Sequence, residues 1–443
     1  MDSTQSTDDG ELFTTSNRSG IILQRRFARD LMGLSEFVVR SGLCPTSEQS
    51  RILDHVLQPN DIIRIDGLAG TGKKITAVEC CHRQTNEFLV ISRLDDSVEQ
   101  LRWSILTYKA TFRTLDALAC DFLVRNGYVD EPMIIDGDLP HKTIIDLCPE
   151  SLWPLADNER VWLIRQTLVN YLASDQACIT IDLIPSELPL RSGKRLYSKI
   201  VWSDEKAFIV AQVERIWRAM LDKKVQMTRD ACVKLYQIWN VTKPVIEGNY
   251  EAIVVIGAED FTAAGLDVII NQPSVPKILV HDGYQQIYTN RGCKNEAVNT
   301  IPCTHNFHLT RNFRFDSKVA LVINKWLSTA FGVHGGYSLV PVPPSRSHSI
   351  CDQTAILCRK KSTAEKLSQD RRTEGYEVML CRRAKGLEFD TVILAQDLHH
   401  RDRKLIYLAM TRARHRLIVN RNILEAMKKE GSKLPERVIV ESW

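Results

Sequence analysis

Short apolar runs recur along this chain, bounded by glycine, proline or charged residues, with longer stretches of helical apolar spacing between them. Asp61-Ile62-Ile63-Arg64-Ile65-Asp66, Phe88-Leu89-Val90-Ile91, Ala252-Ile253-Val254-Val255-Ile256 and Lys277-Ile278-Leu279-Val280 read as strands. The continuous runs at Ala252–Ile256 and Lys277–Val280 mark strands buried on both faces of a parallel sheet, whereas half-exposed strands alternate. The pattern returns at Thr354-Ala355-Ile356-Leu357, Thr391-Val392-Ile393-Leu394 and Arg416-Leu417-Ile418-Val419. Helices are expected from about Lys74 to His82 and from Arg314 to about Phe331. Residues 120–240 are mostly helical in pattern, with Trp153, Trp162, Trp217 and Trp239 as core aromatics. Strands alternating with helices in both halves predict two α/β domains, the first over 21–300 with a helical insertion and the second over 301–443. Residues 1–20, rich in Ser, Thr and Asp, read as a disordered tail. Residues 21–42 have helical spacing, and Gly335 to Ser349 reads as a loop. Pro45-Thr46-Ser47-Glu48-Gln49 carries a helix start, capped by Thr46 or Ser47.

Composition adds little to this division. The chain has 443 residues, 44% hydrophobic and 25% charged, with a net charge of +4. The charge is uneven: Arg359 to Arg416 holds 15 Lys/Arg and 8 Asp/Glu, or +7, so the remainder sums to −3. A basic C-terminal part can attract a polyanion or be a solvated face. The 12 cysteines are scattered without a CxxC pair, which fits a reducing compartment, and no metal-ligand spacing stands out. No apolar run approaches the roughly 18 residues of a membrane span, and no signal peptide is recognisable, so neither membrane nor secretion is indicated.

One segment carries chemistry by itself. Gly67-Leu68-Ala69-Gly70-Thr71-Gly72-Lys73 meets the G-x-x-x-x-G-K spacing between a predicted strand and a predicted helix. The glycines let backbone N–H groups wrap a phosphate, the helix start adds its positive dipole end, and Lys73 reaches the terminal phosphates. The next position of such a loop is Ser or Thr, whose hydroxyl ligates Mg²⁺; here it is Lys74, whose ammonium has no lone pair. Thr76, two positions along the helix, faces elsewhere.

Later blocks resemble those of superfamily-one helicases of the UvrD type, most closely the F-box DNA helicases, from about Thr46 to Val419. The block at 45–49 resembles the Q motif. Val280-His281-Asp282-Gly283-Tyr284-Gln285-Gln286-Ile287-Tyr288 resembles GDxxQSIY, and Leu309-Thr310-Arg311-Asn312-Phe313-Arg314 resembles L-x-x-N-[YF]-R. Ala384-Lys385-Gly386-Leu387-Glu388-Phe389-Asp390 resembles KGLEFD, and Leu405-Ile406-Tyr407-Leu408-Ala409-Met410-Thr411-Arg412-Ala413-Arg414 resembles LLYVALTRAR. The resemblance implies a P-loop NTPase with two RecA-like parallel-sheet domains in tandem and ATP between them. Gln49 would read adenine, with Gly67, Gly70, Thr71, Gly72, Lys73, Lys74 and Gly386 around the nucleotide. Asp282 and Gln285 would sense the γ-phosphate, Arg314 would touch it, Glu388 would contact ribose or phosphate, and Arg412 would be the arginine finger. Tyr288, Arg291, Arg382, Arg383 and Lys385 are the candidates for contact with single-stranded DNA; no motif distinguishes DNA from RNA here. The family setting implies a protein of DNA repair, recombination or fork processing, nuclear or cytoplasmic with the nucleus preferred.

The departures from the family pattern concern hydrolysis and DNA. Where D-E-x-x-D belongs, the chain has Ile256-Gly257-Ala258-Glu259-Asp260, so Ile256 replaces the Mg²⁺-organising Asp and Gly257 the water-activating Glu. Neither side chain can coordinate a cation or accept a proton. The expectation is a pocket that binds ATP, holds Mg²⁺ poorly and hydrolyses weakly or not at all. An active 3′-to-5′ helicase rescued by Glu259 or Asp260, or an interaction protein without nucleotide, are the other readings. Asn290 stands where the family has a base-stacking aromatic, and Asp116 weakens the match of Thr114-Leu115-Asp116-Ala117 to a DNA-groove block. The 70 positions from Arg314 to Ala384 leave out the family's large helical subdomain. No F-box is recognisable, so the ubiquitin-ligase link is not carried over.

Overall fold

The computed structural model describes residues 45–93, 109–148, 157–189, 195–197, 203–240, 246, 248–333 and 353–428. The expected tail at 1–20, the helix at 21–42, the loop at 335–349 and Trp153 lie outside them. The first domain is built on β1 (Ile62–Gly67), β2 (Phe88–Ser92), β3 (Ala110–Thr114), β8 (Ala252–Ile256), β9 (Lys277–His281) and β10 (His305–Leu309). They form one parallel sheet in the order β10-β1-β9-β8-β2-β3. Every residue of the inner strands β2, β8 and β9 is buried, as their apolar runs require. Because β10 pairs with β1, the first domain extends to Leu309, past the boundary expected at 300.

Between β3 and β8 the chain runs through the helices Leu115–Arg125, His141–Leu147, Asp157–Ala173, Ser203–Leu221 and Arg229–Asn240. This is the expected helical insertion. Two small ribbons decorate it, β4 (Ile134–Ile135) with β7 (Met227–Thr228) and β5 (Glu187–Pro189) with β6 (Arg195–Tyr197). Trp162, Trp217 and Trp239 pack against its core from half-buried positions. The second domain has a parallel sheet, order β12-β11-β13-β14, from β11 (Thr354–Cys358), β12 (Glu377–Leu380), β13 (Phe389–Leu394) and β14 (Ala413–Ile418). Helix Ser317–Phe331 packs on β14 and buries Trp326, whose ring N–H donates to Arg403 O at 3.2 Å. Two parallel α/β sheets in tandem, the first carrying the glycine-rich loop directly after β1, are the expected fold class. Leu68 and Ala69 of that loop belong to the second domain's apolar cluster, so the two domains share a core at the cleft. Among the described residues no helix is long and apolar enough to cross a membrane.

Candidate functional site

Parallel α/β sheets present their ligand-binding loops at the C-terminal ends of the strands. In the first sheet those ends deliver Gly67 from β1, Ile256-Gly257 from β8, Asp282 just after β9 and Thr310 just after β10. The second domain faces them with Glu388 and Arg412, each one residue before its strand, held together by Phe389 N–H donating to Arg412 O at 2.9 Å.

The loop is shaped by its glycines. Gly70 and Gly72 have φ of 79° and 80°, the left-handed region closed to most side chains. At Gly67 a Cβ would lie 2.6 Å from Leu309 O, so only glycine permits this approach of β1 to β10. Helix Lys73–Gln84 begins at Gly72, and Lys73 folds back to donate to Gly67 O and Leu68 O, both at 2.7 Å. Burial lowers the pKa of Lys73, and nearby Asp282 and Glu259 oppose that shift. Thr71 is buried and its hydroxyl bonds Leu68 O at 2.9 Å. Gln49 completes the capping box of helix Ser47–Leu53 with Thr46 as cap, and its amide donates to the Thr76 hydroxyl at 3.2 Å. That hydroxyl in turn bonds Gly72 O at 2.9 Å, so Thr76 does serve the loop backbone.

Five of the expected residues converge across the cleft. Arg412 is buried and donates to Gln285 Oε1 at 3.1 Å, while Gln285 donates to Asp282 Oδ2 at 2.6 Å. Arg314 donates to Thr411 O at 3.0 Å and pairs with Glu388 at 2.7 Å; Arg414 holds the other carboxylate oxygen at 3.1 Å. Burial would raise the pKa of Glu388, but Arg314 and then Arg414 overcome it and hold the carboxyl at about 2. Burial and the proximity of Arg314 weaken the hold of Arg412 on its proton. Gly386, at φ 95°, turns the chain so that Lys385 and Glu388 reach different partners.

Three residues that motif reading left without a role complete the pocket. Asn312 is fully buried and accepts the N–H groups of Arg314 at 2.7 Å and Phe315 at 2.9 Å, while Phe313 N–H donates to Gly70 O at 2.8 Å. This docks the Arg314 segment onto the loop. Phe313 itself is 43% exposed, and the point where a Cβ of Gly72 would sit lies 3.8 Å from its ring and 2.9 Å from the Gln49 amide nitrogen. Tyr407, buried in the second domain, accepts the Ala69 N–H at 3.1 Å and reaches Asp282 Oδ2 at 3.4 Å. The signal for each was present inside the quoted motifs, but only domain packing gives the partner.

The residues at the loop do not fit Mg²⁺, which needs near-octahedral oxygen ligands. Ile256 ends β8 buried and apolar, and Gly257 offers no ligand. Glu259 and Asp260 are taken up elsewhere: Lys385 bridges both, at 3.2 Å from Glu259 Oε1 and in close contact with Asp260 Oδ2. Glu259 also accepts the Asp282 N–H at 3.0 Å. Burial and the neighbouring Glu259 raise Asp260 to about 6 despite Lys385. The carboxylate of Asp282 is bonded by Gln285, Tyr284 N–H and Tyr407. A rescue of metal binding by Glu259 or Asp260 therefore finds no support in the geometry. A His55–Asp61–His305 cluster close enough to share a cation lies at the other end of β1, away from the loop.

The nucleic-acid candidates divide. A cavity of about 560 Å³ between the first sheet, the helical insertion and the second domain is lined by Tyr288, Asn290, Arg291 and Arg382. Arg291 and Arg382 are exposed and have no carboxylate partner among the described residues, as a phosphate contact requires. Asp116 lines the same cavity but lies 4.0 Å from Arg229, which offsets its charge. Arg383 is exposed outside the lining. Lys385 is corrected: its side chain is 10% exposed and tied to two buried carboxylates, so it serves domain contact and not nucleic acid.

Comparison with known proteins agrees with the motif order. The UvrD-like helicase C-terminal domain pattern matches residues 377–420, from β12 through β14. F-box DNA helicase 1 of Gallus gallus is 30% identical over 287 residues, covering 62% of this chain and 27% of the relative. This chain is similar to superfamily-one helicases and resembles the F-box DNA helicases. F-box DNA helicase protein 1 of Schizosaccharomyces pombe is 24% identical over 292 residues, 64% of this chain and 33% of its own length. The chain thus spans a third or less of these curated relatives. Among solved structures, a Bacteroides Pif1 helicase in complex with ADP-AlF3 and single-stranded DNA is 10% identical and covers 85% of this chain and 92% of its own, at a TM-score of 0.38. The arterivirus nonstructural protein 10 helicase is 11% identical over 85% of this chain and 62% of its own, at a TM-score of 0.35.

Proposed function

We propose that this helicase-family core binds adenosine triphosphate and single-stranded DNA and hydrolyses the nucleotide weakly or not at all, in DNA repair, recombination or fork processing in the nucleus. One observation carries the reading. Lys73, Arg314, Gln285 and Arg412 converge on the loop, while the positions that would organise metal and water hold Lys74, Ile256 and Gly257. Arginines around a phosphate chain stabilise its charge. Without a positioned base and metal, however, rates fall by several powers of ten. Tyr288, Arg291 and Arg382 at one cavity supply the stacking face and cations that single strands require.

The test is ATP hydrolysis with and without single-stranded DNA, beside Lys73→Ala and Arg412→Ala. The expected result is background turnover in all three proteins. Robust DNA-stimulated turnover that both substitutions abolish would refute it. The RNA counterpart of the same strand, titrated in parallel, decides whether a 2′-hydroxyl matters.

A further inference from the structure

The departure at position 74 is more than a lost metal ligand. Lys74 is the second residue of helix Lys73–Gln84, beside the lysine that closes the phosphate loop. It is half-buried, and among the described residues its ammonium has no hydrogen-bond or ion-pair partner. Burial first, then the neighbouring Arg412, Arg314 and Lys385, lower its pKa to about 8, and the attraction of Glu259 does not offset them. Glu259 is itself bound to Lys385 and to the Asp282 N–H. An unpaired cation surrounded by cations, at the lip of a loop whose backbone is shaped for phosphate, lacks one component: an anion.

The charge balance gives the anion's form. At the three altered positions the family pattern supplies a neutral hydroxyl and two carboxylates, which a divalent cation brings to zero. Here the same positions are Lys74, Ile256 and Gly257, which sum to +1 with no metal present. A free triphosphate thus meets at least as much positive charge as the family's loop offers with its metal. A metal-bound triphosphate would instead press a divalent cation against an ammonium that cannot ligate it.

We infer that Lys74 takes the place of the divalent cation, so that the pocket binds nucleoside triphosphate in its metal-free form. This rests on the proposal that the pocket binds nucleotide at all. Lys74 and Lys73 flank the terminal phosphates, Arg314 and Arg412 approach from the second domain, and Phe313 offers its face to the base.

Titration calorimetry of ATP into the full chain, once in excess Mg²⁺ and once in EDTA, separates the two claims. The expected result is affinity in EDTA equal to that in Mg²⁺ or tighter by up to about tenfold. Lys74→Thr is expected to reverse that order, because it replaces the ammonium with a metal-ligating hydroxyl. Binding in Mg²⁺ that EDTA abolishes would overturn the metal-free inference and leave the nucleotide reading intact. Absence of binding in both buffers would overturn both. The wild-type comparison is decisive by itself should Lys74→Thr fail to fold.

Discussion

Lys385 ties the second domain to two buried carboxylates of the first, and Lys385→Met tests what that contact contributes. In the wild type one ammonium from the second domain neutralises Glu259 and Asp260 of the first, with side-chain exposures of 10%, 4% and 5%. Removing one partner of a buried ion pair costs about 3–5 kcal/mol, because the remaining charge stays desolvated. Two carboxylates share this cation, so the upper part of that range is expected at neutral pH. The pH dependence gives a sharper test. Asp260 has a folded value of about 6, above the ordinary 3.8 of an aspartate carboxyl. Its contribution to stability is therefore fully present below 3.8 and is lost as pH rises through 6; above that the wild-type pair no longer titrates. Without Lys385 both carboxylates shift upward. The variant should keep losing stability between pH 6 and pH 8, by up to about 1.4 kcal/mol per pH unit for each proton held. Urea unfolding of both proteins from pH 5 to pH 8 measures this, with solution scattering to report opening of the cleft. Adding Glu259→Gln and Asp260→Asn should recover most of the loss. A variant that loses less than about 1 kcal/mol at neutral pH, or whose profile parallels the wild type, refutes the reasoning.

Phe313→Ala should weaken ATP binding by about fivefold, the loss of roughly 1 kcal/mol of stacking, and leave tripolyphosphate binding unchanged in competition assays; equal losses for both ligands would remove Phe313 from the base site. Arg291→Ala and Arg382→Ala should each weaken single-stranded DNA binding across sequences and reduce the slope of log affinity against log salt by about 1, read by fluorescence anisotropy. Gly257→Glu alone should leave hydrolysis at background. Its φ of 71° costs a side-chain-bearing residue about 1–2 kcal/mol, and Lys74 still disfavours the metal. Measurable turnover in that single variant contradicts the account of the pocket.

The runs of apolar residues mark β1, β2, β8, β9, β11, β13 and β14; β2, β8 and β9, buried along their whole length, gave the clearest signal. Of the two main sheets, pattern reading missed β3, β10 and β12, and each lies at a sheet edge; the short ribbons β4 to β7 were missed as well. In β10 only Leu309 is buried, while His305, Asn306 and His308 are exposed. An edge strand needs little apolar surface and leaves little trace in the sequence. The same division holds at the site. Lys73, Arg314, Gln285 and Arg412 were legible because the chemistry fixes residue type at fixed spacing. Lys385 was assigned to nucleic acid because a lysine in a basic segment looks available for phosphate. Its partners lie 125 and 126 positions away in the other domain, a pairing that only packing creates. Tyr407 was quoted within a motif without a role for the same reason, since its partner Ala69 is 338 positions distant.

These contacts bear on whether the chain can act as a motor. A nucleotide drives a cycle only by binding the open and closed forms with different affinity, and turning a 1:99 mixture into 99:1 takes about 5.5 kcal/mol of difference. Here the cleft is closed by the protein's own groups: Tyr407 on Ala69, Arg412 on Gln285, and Lys385 on Glu259 and Asp260. Opening it would strand two carboxylates that have no other cation within ion-pair distance among the described residues. The expected 3–5 kcal/mol for that one contact is already most of what a nucleotide would have to supply. The loop also bonds to itself through Lys73, and to the second domain through Ala69. A ligand then exchanges these bonds for its own and does not create closure. On the proposed reading, nucleotide and single strand bind to a core already held shut, and loss of the hydrolytic residues follows the same direction: a protein that does not reopen its cleft has no use for a step that resets it.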